Sequence, residues 1–500
     1  MPSGWLSGRG RVLAGAGVGV LSLVLSPALV DEAVGDGLAW EVRLRALPAR
    51  LGVYFVLGLC LFSGEPYQEV VRLLVRGLEG PLAAAGWRVP VPRALTGVRR
   101  RVGERPLESL FRKVAGAVSP GTAPWSHLGG LLVAAWDGTC VLVAGSEANA
   151  AAFGAPQGGS RKGLAAAGGR VGAYPQARVV ALVACGTRAV IGAACGPARG
   201  KGTGERALAA QLLGSLHAGM LLLADRGFYS WQLWSDAAAT RAHLLWRVGD
   251  AGGNTLRLPV LEQLDDGSWL SRVWERAGRK DNGKPRKGQD RGRCLTVRVI
   301  EFTITAAGDD GTARTRRYRL LTTLLDHQAF PAAALAACYA RRWSAELAYR
   351  ELKAVLRGPG RVLRGRTPDL ARQEIWAYLA IYQATRILIA RAAARDGLDP
   401  ARISASAALR AARRTITTAR ASMTTALGQA EAEILDPAAL VPERPGRVWP
   451  RVAKHRTTTW PPPHRATTTP HQHATYTITT TTHDPAHQQK QPPKQHASPP

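Results

Sequence analysis

No two of the six cysteines stand in a CxxC pair; Cys60, Cys140, Cys185, Cys195, Cys294 and Cys338 are scattered along 500 residues. This spacing provides neither a zinc module nor a disulfide framework, and reduced packing thiols suit a cytosolic protein. Acidic residues are scarce as well: 36 Asp plus Glu face 66 Lys plus Arg, a formal net charge of +30. Such an excess favours a polyanionic partner, nucleic acid first and an anionic membrane surface less directly. A clean apolar run is also missing. The most apolar N-terminal stretch, Val12 to Val30, follows Arg9 and Arg11 in the manner of a signal peptide or a transmembrane span, but it contains three glycines and a proline. That composition, in a strongly basic chain with unpaired cysteines, argues for a buried N-terminal helix and against export or membrane anchoring. What remains is a globular balance of 46% hydrophobic and 20% charged residues, enough for several domains and a sizeable core.

Residues 1 to about 120 read as helical, with "LGVYFVLGLCLF" (51 to 62) followed by "SGEPYQEVVRLLVRGLEG" (63 to 80), where Ser63 is a candidate N-cap. The next segment, 91 to 114, places Arg93, Arg99, Arg100 and Arg101 on a short helix, a candidate basic second helix of a helix-turn-helix. From about 121 to 250 the period shortens. Two apolar runs flank Asp137, two β-rich runs flank a Gly-Thr turn (176 to 195), and "GMLLLADRGFYS" reads as a buried strand ending at Asp225. Strands first, then alternating strand and helix, is the pattern of a mixed sheet flanked by helices. Residues 251 to 322 read as an all-β insertion whose tip, 275 to 293, carries eight Lys or Arg against three acids. Helices resume from 323 to 395, including the core-type "QEIWAYLAIYQATRILIARAA" (373 to 393), and a helical segment fills 396 to 450. The last part, 451 to 500, is rich in Thr, Pro, His and Gln and reads as disordered.

Three acids stand out: Asp137 on or just after the first strand, Asp225 at the end of a later one, and Glu346 on a helix after the insertion. In a mixed sheet the first two can end side by side while the helix brings the third over them. Convergent carboxylates are the hard-oxygen set that holds Mg²⁺ or Mn²⁺ for displacement at phosphorus. On a regular helix, Arg342, Glu346 and Lys353 fall within about 60° of Tyr339, so one face joins the acid to residues suited to phosphates. A plain ion pair of Glu346 with Arg342 or Arg350 fits the same spacing.

In this order, Tyr339, Arg342, Glu346 and Lys353 match the Y-(2)-R-(3)-E-(6)-K pattern of insertion-sequence-4-type DDE transposases, and "DGT" at Asp137 and "DRGF" at Asp225 resemble that family's first two acids. The N-terminal "LPARLGVYFVLGLCLF" with "YQEVVRLL" is similar to its helical N-terminal domain, and the likeness spans about 1 to 450. The resemblance implies an RNase H-like mixed sheet flanked by helices and interrupted by an all-β insertion. It further implies Asp137, Asp225 and Glu346 as catalytic ligands of two Mg²⁺ ions, with Mn²⁺ as a substitute. Tyr339, Arg342 and Lys353, with Arg99, Arg100 and Arg101, would contact double-stranded DNA at terminal inverted repeats and target. The implied reaction is cut-and-paste transposition by a homodimer in a synaptic complex, cytoplasmic and nucleoid-associated, with no membrane partner. A domesticated nuclease and an inactive DNA-binding remnant are the alternatives. Trp231, Trp246, Trp269, Trp274 and Tyr318 are candidates for stacking a flipped base, with core packing the default for each.

Overall fold

The computed structural model describes residues 12–13, 15–36, 47–119, 123–154, 174–200, 202–249, 256, 258–275, 293–307, 313–358, 361–417, 422–441 and 475–480. The chain falls into two compact units, Met1–Leu221 with Arg341–Pro442, and Leu222–Ala340 with Glu443–Pro500.

The first unit opens with the apolar N-terminal stretch, which is broken rather than continuous. A 3₁₀ turn, Gly19–Leu23, starts at a glycine with φ +59°, and helix α1 (Pro27–Asp36) begins afresh at the proline. Val18, Val20, Leu21, Leu25 and Val30 are buried. The expected single buried helix is thus replaced by two short buried pieces. No helix among the described residues is long and apolar enough to cross a membrane. Helix α2 (Ala49–Leu61) is buried along its whole length. It is followed by α3 (Tyr67–Leu74), α4 (Glu79–Ala84), α5 (Pro92–Val102) and α6 (Arg105–Val114). Ser63 does not cap α3. Pro66 precedes that helix, and the Ser63 hydroxyl donates instead to the Arg357 carbonyl at 3.1 Å.

Strand β1 (His127–Leu128) pairs with β2 (Leu131–Leu142). The two apolar runs around Asp137 form one strand, because Asp137 and Gly138 keep their ladder partners Ala181 and Val180. Helix α7 (Glu147–Phe153) is capped by Ser146, whose hydroxyl accepts from Asn149 N. Strands β3 (Gln176–Ala184) and β4 (Val190–Pro197) complete the antiparallel run β4-β3-β2. A short helix, α8 (Glu205–Ala210), follows.

The chain passes into the second unit along β5 (Met220–Ala224), all five of whose residues are buried. Then come α9 (Trp231–Ala239), capped by Ser230, and the strands β6 (His243–Val248), β7 (Glu262–Gln263), β8 (Trp269–Trp274), β9 (Cys294–Ala307) and β10 (Ala313–Thr322). Their order in this unit is β5-β6-β10-β9-β8-β7. Residues 276–292 of the basic tip lie outside the described residues. Helix α10 (Ala332–Tyr339) closes this part.

Back in the first unit are α11 (Trp343–Arg350), a π-helical turn (Glu351–Leu356), the 28-residue α12 (Pro368–Arg395), α13 (Ala405–Thr417) and α14 (Met423–Ile434). Of the tail, Thr475–Thr480 form strand β11, antiparallel to β9 in the second unit. Its run of β-branched residues suits an extended backbone, and the remainder of 451–500 lies outside the described residues.

Candidate active site

Asp137 sits in the middle of β2 and accepts a hydrogen bond from Gly138 N at 2.9 Å. Burial pushes its carboxyl up to about 6; Gly138 N and Arg342 act the other way, while the charges of Glu346 and Glu205 add to the rise. Asp137, Arg342, Glu346 and Glu205 therefore share one electrostatic neighbourhood within the first unit. Tyr349, buried on α11, donates its hydroxyl to the Asp137 carbonyl at 2.8 Å, with the Val179 carbonyl 3.3 Å away. That bond ties α11 to the strands that carry Asp137.

The segment 339–353 is not one regular helix. Helix α10 ends at Tyr339, a 3₁₀ turn spans Ala340–Arg342, α11 follows, and Lys353 lies in the π-helical turn. A 3₁₀ turn tightens and a π turn widens the winding, so the common face expected from 3.6-residue spacing does not hold along this stretch. One pairing does survive: Arg342 Nη2 donates to Glu346 Oε1 at 2.8 Å. Lys353 is half-buried; burial and the neighbouring Arg357 pull its pKa down, opposed by Cys140 and Asp137. It thus lies within electrostatic reach of Asp137.

In the second unit, Asp225 directly follows β5. Its Oδ1 accepts from Arg226 N at 2.7 Å and its carbonyl accepts from Phe228 N at 3.0 Å, with the Phe228 ring buried beneath the turn. Tyr339 is buried and its hydroxyl donates to the Ala224 carbonyl at 3.3 Å. This corrects the expectation that Tyr339 contacts DNA: its hydroxyl holds the backbone next to Asp225.

Arg99 needs a similar correction. Only 1% exposed, it is paired with Glu374 (2.6 Å) and also donates to Gln373, Tyr67 and the Leu370 carbonyl. It locks α5 onto α12 and is not available to a phosphate. Arg101 is half-buried and donates to the Leu47 carbonyl; of the three consecutive arginines, Arg100 alone is exposed. Among the aromatic candidates, Trp246 and Trp269 are core residues. Tyr318 stacks on Phe302 at 5.2 Å between centroids, and the Arg247 guanidinium lies 4.5 Å from its ring centre.

Glu205 and Tyr349 had no signal in the sequence. Glu205 is the first residue of α8, and its side chain covers Gly138 so closely that a Cβ there would meet Glu205 Oε1 at 2.5 Å.

Among the described residues, no three His, Cys, Asp or Glu side chains form a cluster ready to hold a metal ion. The donor chemistry nevertheless suits a hard divalent cation. Asp137 is a desolvated carboxylate beside a second carboxylate, a condition that a cation relieves.

Two family profiles match the chain: residues 129–383 fit the Transposase DDE domain, and residues 16–112 fit the Insertion element 4 transposase N-terminal domain. The chain belongs to the insertion-element-4 type of DDE transposases. It is 27% identical over 443 residues, 87% of this chain and 92% of the relative, to the transposase InsG for insertion sequence element IS4 of Escherichia coli K12. It is 30% identical over 192 residues, 38% of this chain and 57% of the relative, to the putative transposase InsZ of the same organism. Among solved structures, the piggyBac transposase synaptic complex with hairpin DNA aligns over 85% of this chain and 86% of that one, with a TM-score of 0.41 and 10% identity. This DDE transposase is an insertion-sequence enzyme that cleaves DNA and transfers strands. Its mixed sheet with flanking helices and helical N-terminal region is the RNase H-like architecture of the family.

Proposed function

We propose that Asp137, Asp225 and Glu346 are the catalytic carboxylates and that they hold two Mg²⁺ ions, with Mn²⁺ as a substitute, at the DNA strand to be cut. When bound, such ions supply a nucleophilic oxygen and charge stabilisation at phosphorus. The observation that carries the reading is the coupling of a half-buried Asp137, its carboxyl raised to about 6, to Glu346 and Arg342 on the segment bearing the family pattern. The chain's own residues divide the remaining work. Arg342 releases Glu346 as a DNA phosphate draws its guanidinium. Lys353 neutralises a second phosphate, and Tyr339 steadies the backbone that presents Asp225. Arg100 adds a phosphate contact from α5.

In this reading the enzyme binds terminal inverted repeats, acts as a homodimer in a synaptic complex, and moves its element by cut-and-paste on nucleoid DNA in the cytoplasm. The test is Mg²⁺-dependent cleavage of a labelled duplex carrying the element's terminal repeat, comparing wild type with Asp225→Asn and Glu346→Gln. Both variants should bind the duplex and fail to cut it. Cutting by either would remove that carboxylate from the assignment.

A further inference from the structure

The stretch after the π-helical turn carries a concentration of positive charge that the catalytic assignment does not use. A cavity of about 260 Å³ lies between the end of α2 and α12, lined by Cys60, Ser63, Gly64, Arg361, Arg364 and Tyr378 among others. Arg361 and Arg364 reach it from the loop before α12 and donate to main-chain carbonyls: Arg361 to Ser63 O, and Arg364 to Ser63 O and Glu65 O. Carbonyls satisfy hydrogen-bond donors but leave the charge uncompensated. The one carboxylate in the cavity wall, Glu374, is taken: Oε1 is paired with Arg99, and Oε2 accepts from Arg364 N.

Two further guanidiniums stand behind this wall. Tyr378 lines both this cavity and a small neighbouring one that contains Arg357. Arg357 is 6% exposed, and its Nε and Nη1 have no hydrogen-bond partner among the described residues; the same holds for Arg413 Nε. Arg413 donates to the Leu356 carbonyl at 3.5 Å. Buried guanidinium nitrogens without partners are costly, and here they add positive charge behind the cavity wall without lining the cavity itself. The desolvation that depresses both Arg357 and Arg413 fits this. Gly358 turns beneath the Arg361 side chain with φ +90°, and a Cβ there would stand 3.0 Å from Arg361 Nε.

We propose that this cavity is a phosphodiester-binding pocket that grips the backbone of bound DNA, with Arg361 and Arg364 as its contacts and Arg357 and Arg413 as the field behind them. Lys353 lies within electrostatic reach of both Asp137 and Arg357, which puts further positive charge on the side of the cavity toward the catalytic carboxylate. The pocket is walled by Ser63 and Gly64 of the N-terminal domain and by Arg361 to Tyr378 of the DDE domain. A phosphate held there stiffens the joint between them. The inference rests on the DNA-cleaving reading for its ligand, but not on which carboxylates cut.

The test uses the full chain and a short labelled duplex carrying the terminal repeat, titrated across a salt series. Arg361 is exposed, so Arg361→Gln keeps a donor for Ser63 O and removes only charge. One lost phosphate contact should lower the slope of log affinity against log salt by about 0.9, whatever the duplex sequence. Inorganic phosphate, compared with chloride at equal ionic strength, should raise the melting temperature of wild type saturably and that of Arg361→Gln much less. Arg357→Met should melt higher than wild type when free, because an unpaired buried charge is gone, yet bind the duplex more weakly. An unchanged salt slope in Arg361→Gln overturns the proposal whatever free phosphate does, as does a lower melting temperature in Arg357→Met with duplex affinity intact. Asp225→Asn separates the two readings. If it still cuts while Arg361→Gln shows the reduced slope, the catalytic assignment fails and the pocket stands; if it is inert and Arg361→Gln binds like wild type, the reverse holds.

Discussion

Replacing Asp137 by Asn should make the metal-free protein more stable at neutral pH, and the size of the gain follows from the site. The folded carboxyl holds its proton up to about 6, against an ordinary value of 3.8, chiefly because it is buried. Below pH 3.8 both the folded and the unfolded chain carry the proton, and the residue costs nothing. Between 3.8 and about 6 the unfolded chain has lost its proton while the folded one retains it, so stability falls as pH rises through that window. Above 6 the full cost applies, about 3 kcal/mol at about 1.4 kcal/mol per pH unit. Asn is nearly isosteric, keeps an oxygen to accept from Gly138 N, and has no proton to lose. Thermal melts of wild type and Asp137→Asn in chelator, from pH 4 to 8, should nearly coincide at the acid end and separate as pH rises, with the variant higher at pH 7.5. Mg²⁺ should then raise the wild type and leave the variant nearly unmoved. A gap that does not depend on pH, or a variant that melts lower at pH 7.5, would refute the burial argument and with it the picture of a carboxylate waiting for a cation.

Arg99→Ala strands Glu374 in the core and should cost about 3–5 kcal/mol, seen as a lower melting temperature with the salt slope of DNA binding unchanged; a reduced slope would return Arg99 to the DNA surface. Tyr339→Phe removes one buried hydrogen bond to Ala224 O, worth about 0.5–1.5 kcal/mol, and should slow cleavage without weakening duplex binding. Equal loss of binding and cleavage would mean that the hydroxyl meets DNA after all. Lys353→Ala should lower the salt slope by about one, measured by titration with the terminal-repeat duplex; no change would count against a phosphate contact at this position.

How far the sequence carried the argument differs from residue to residue. Asp137, Asp225 and Glu346 stood out in the sequence because acids are few in a chain this basic, but the strand reading set Asp137 at or just past a strand end, whereas it lies within β2 with its ladder partner kept. The pairing of Glu346 with Arg342 was visible too, since a spacing of four needs only one turn of regular helix. The longer reach from Tyr339 to Lys353 was not, because it assumed uniform winding across a 3₁₀ and a π turn. Arg99 misled for a different reason. Its partners Gln373 and Glu374 lie more than 270 residues away in the chain, and no local pattern distinguishes an arginine aimed at a distant helix from one aimed at solvent. Ser63 failed as a cap because Pro66 set the start of α3. The apolar N-terminal stretch was rightly assigned to the interior, but Gly19 and Pro27 cut it into pieces.

The contact between Glu205 and Gly138 bears on how copies of such an element decay. Every single-base change that alters the amino acid at a glycine codon, stop codons aside, introduces a side chain, and any side chain at 138 meets Glu205. Glu205 is flexible and half-buried, so it can swing aside with little harm to the core. A drifting copy could therefore lose this carboxylate from the neighbourhood of Asp137 in one mutational step. With Glu205 turned away, one of the charges that raises the Asp137 carboxyl is gone, and Asp137 gives up its proton at a lower pH while the strand that carries it stays in place.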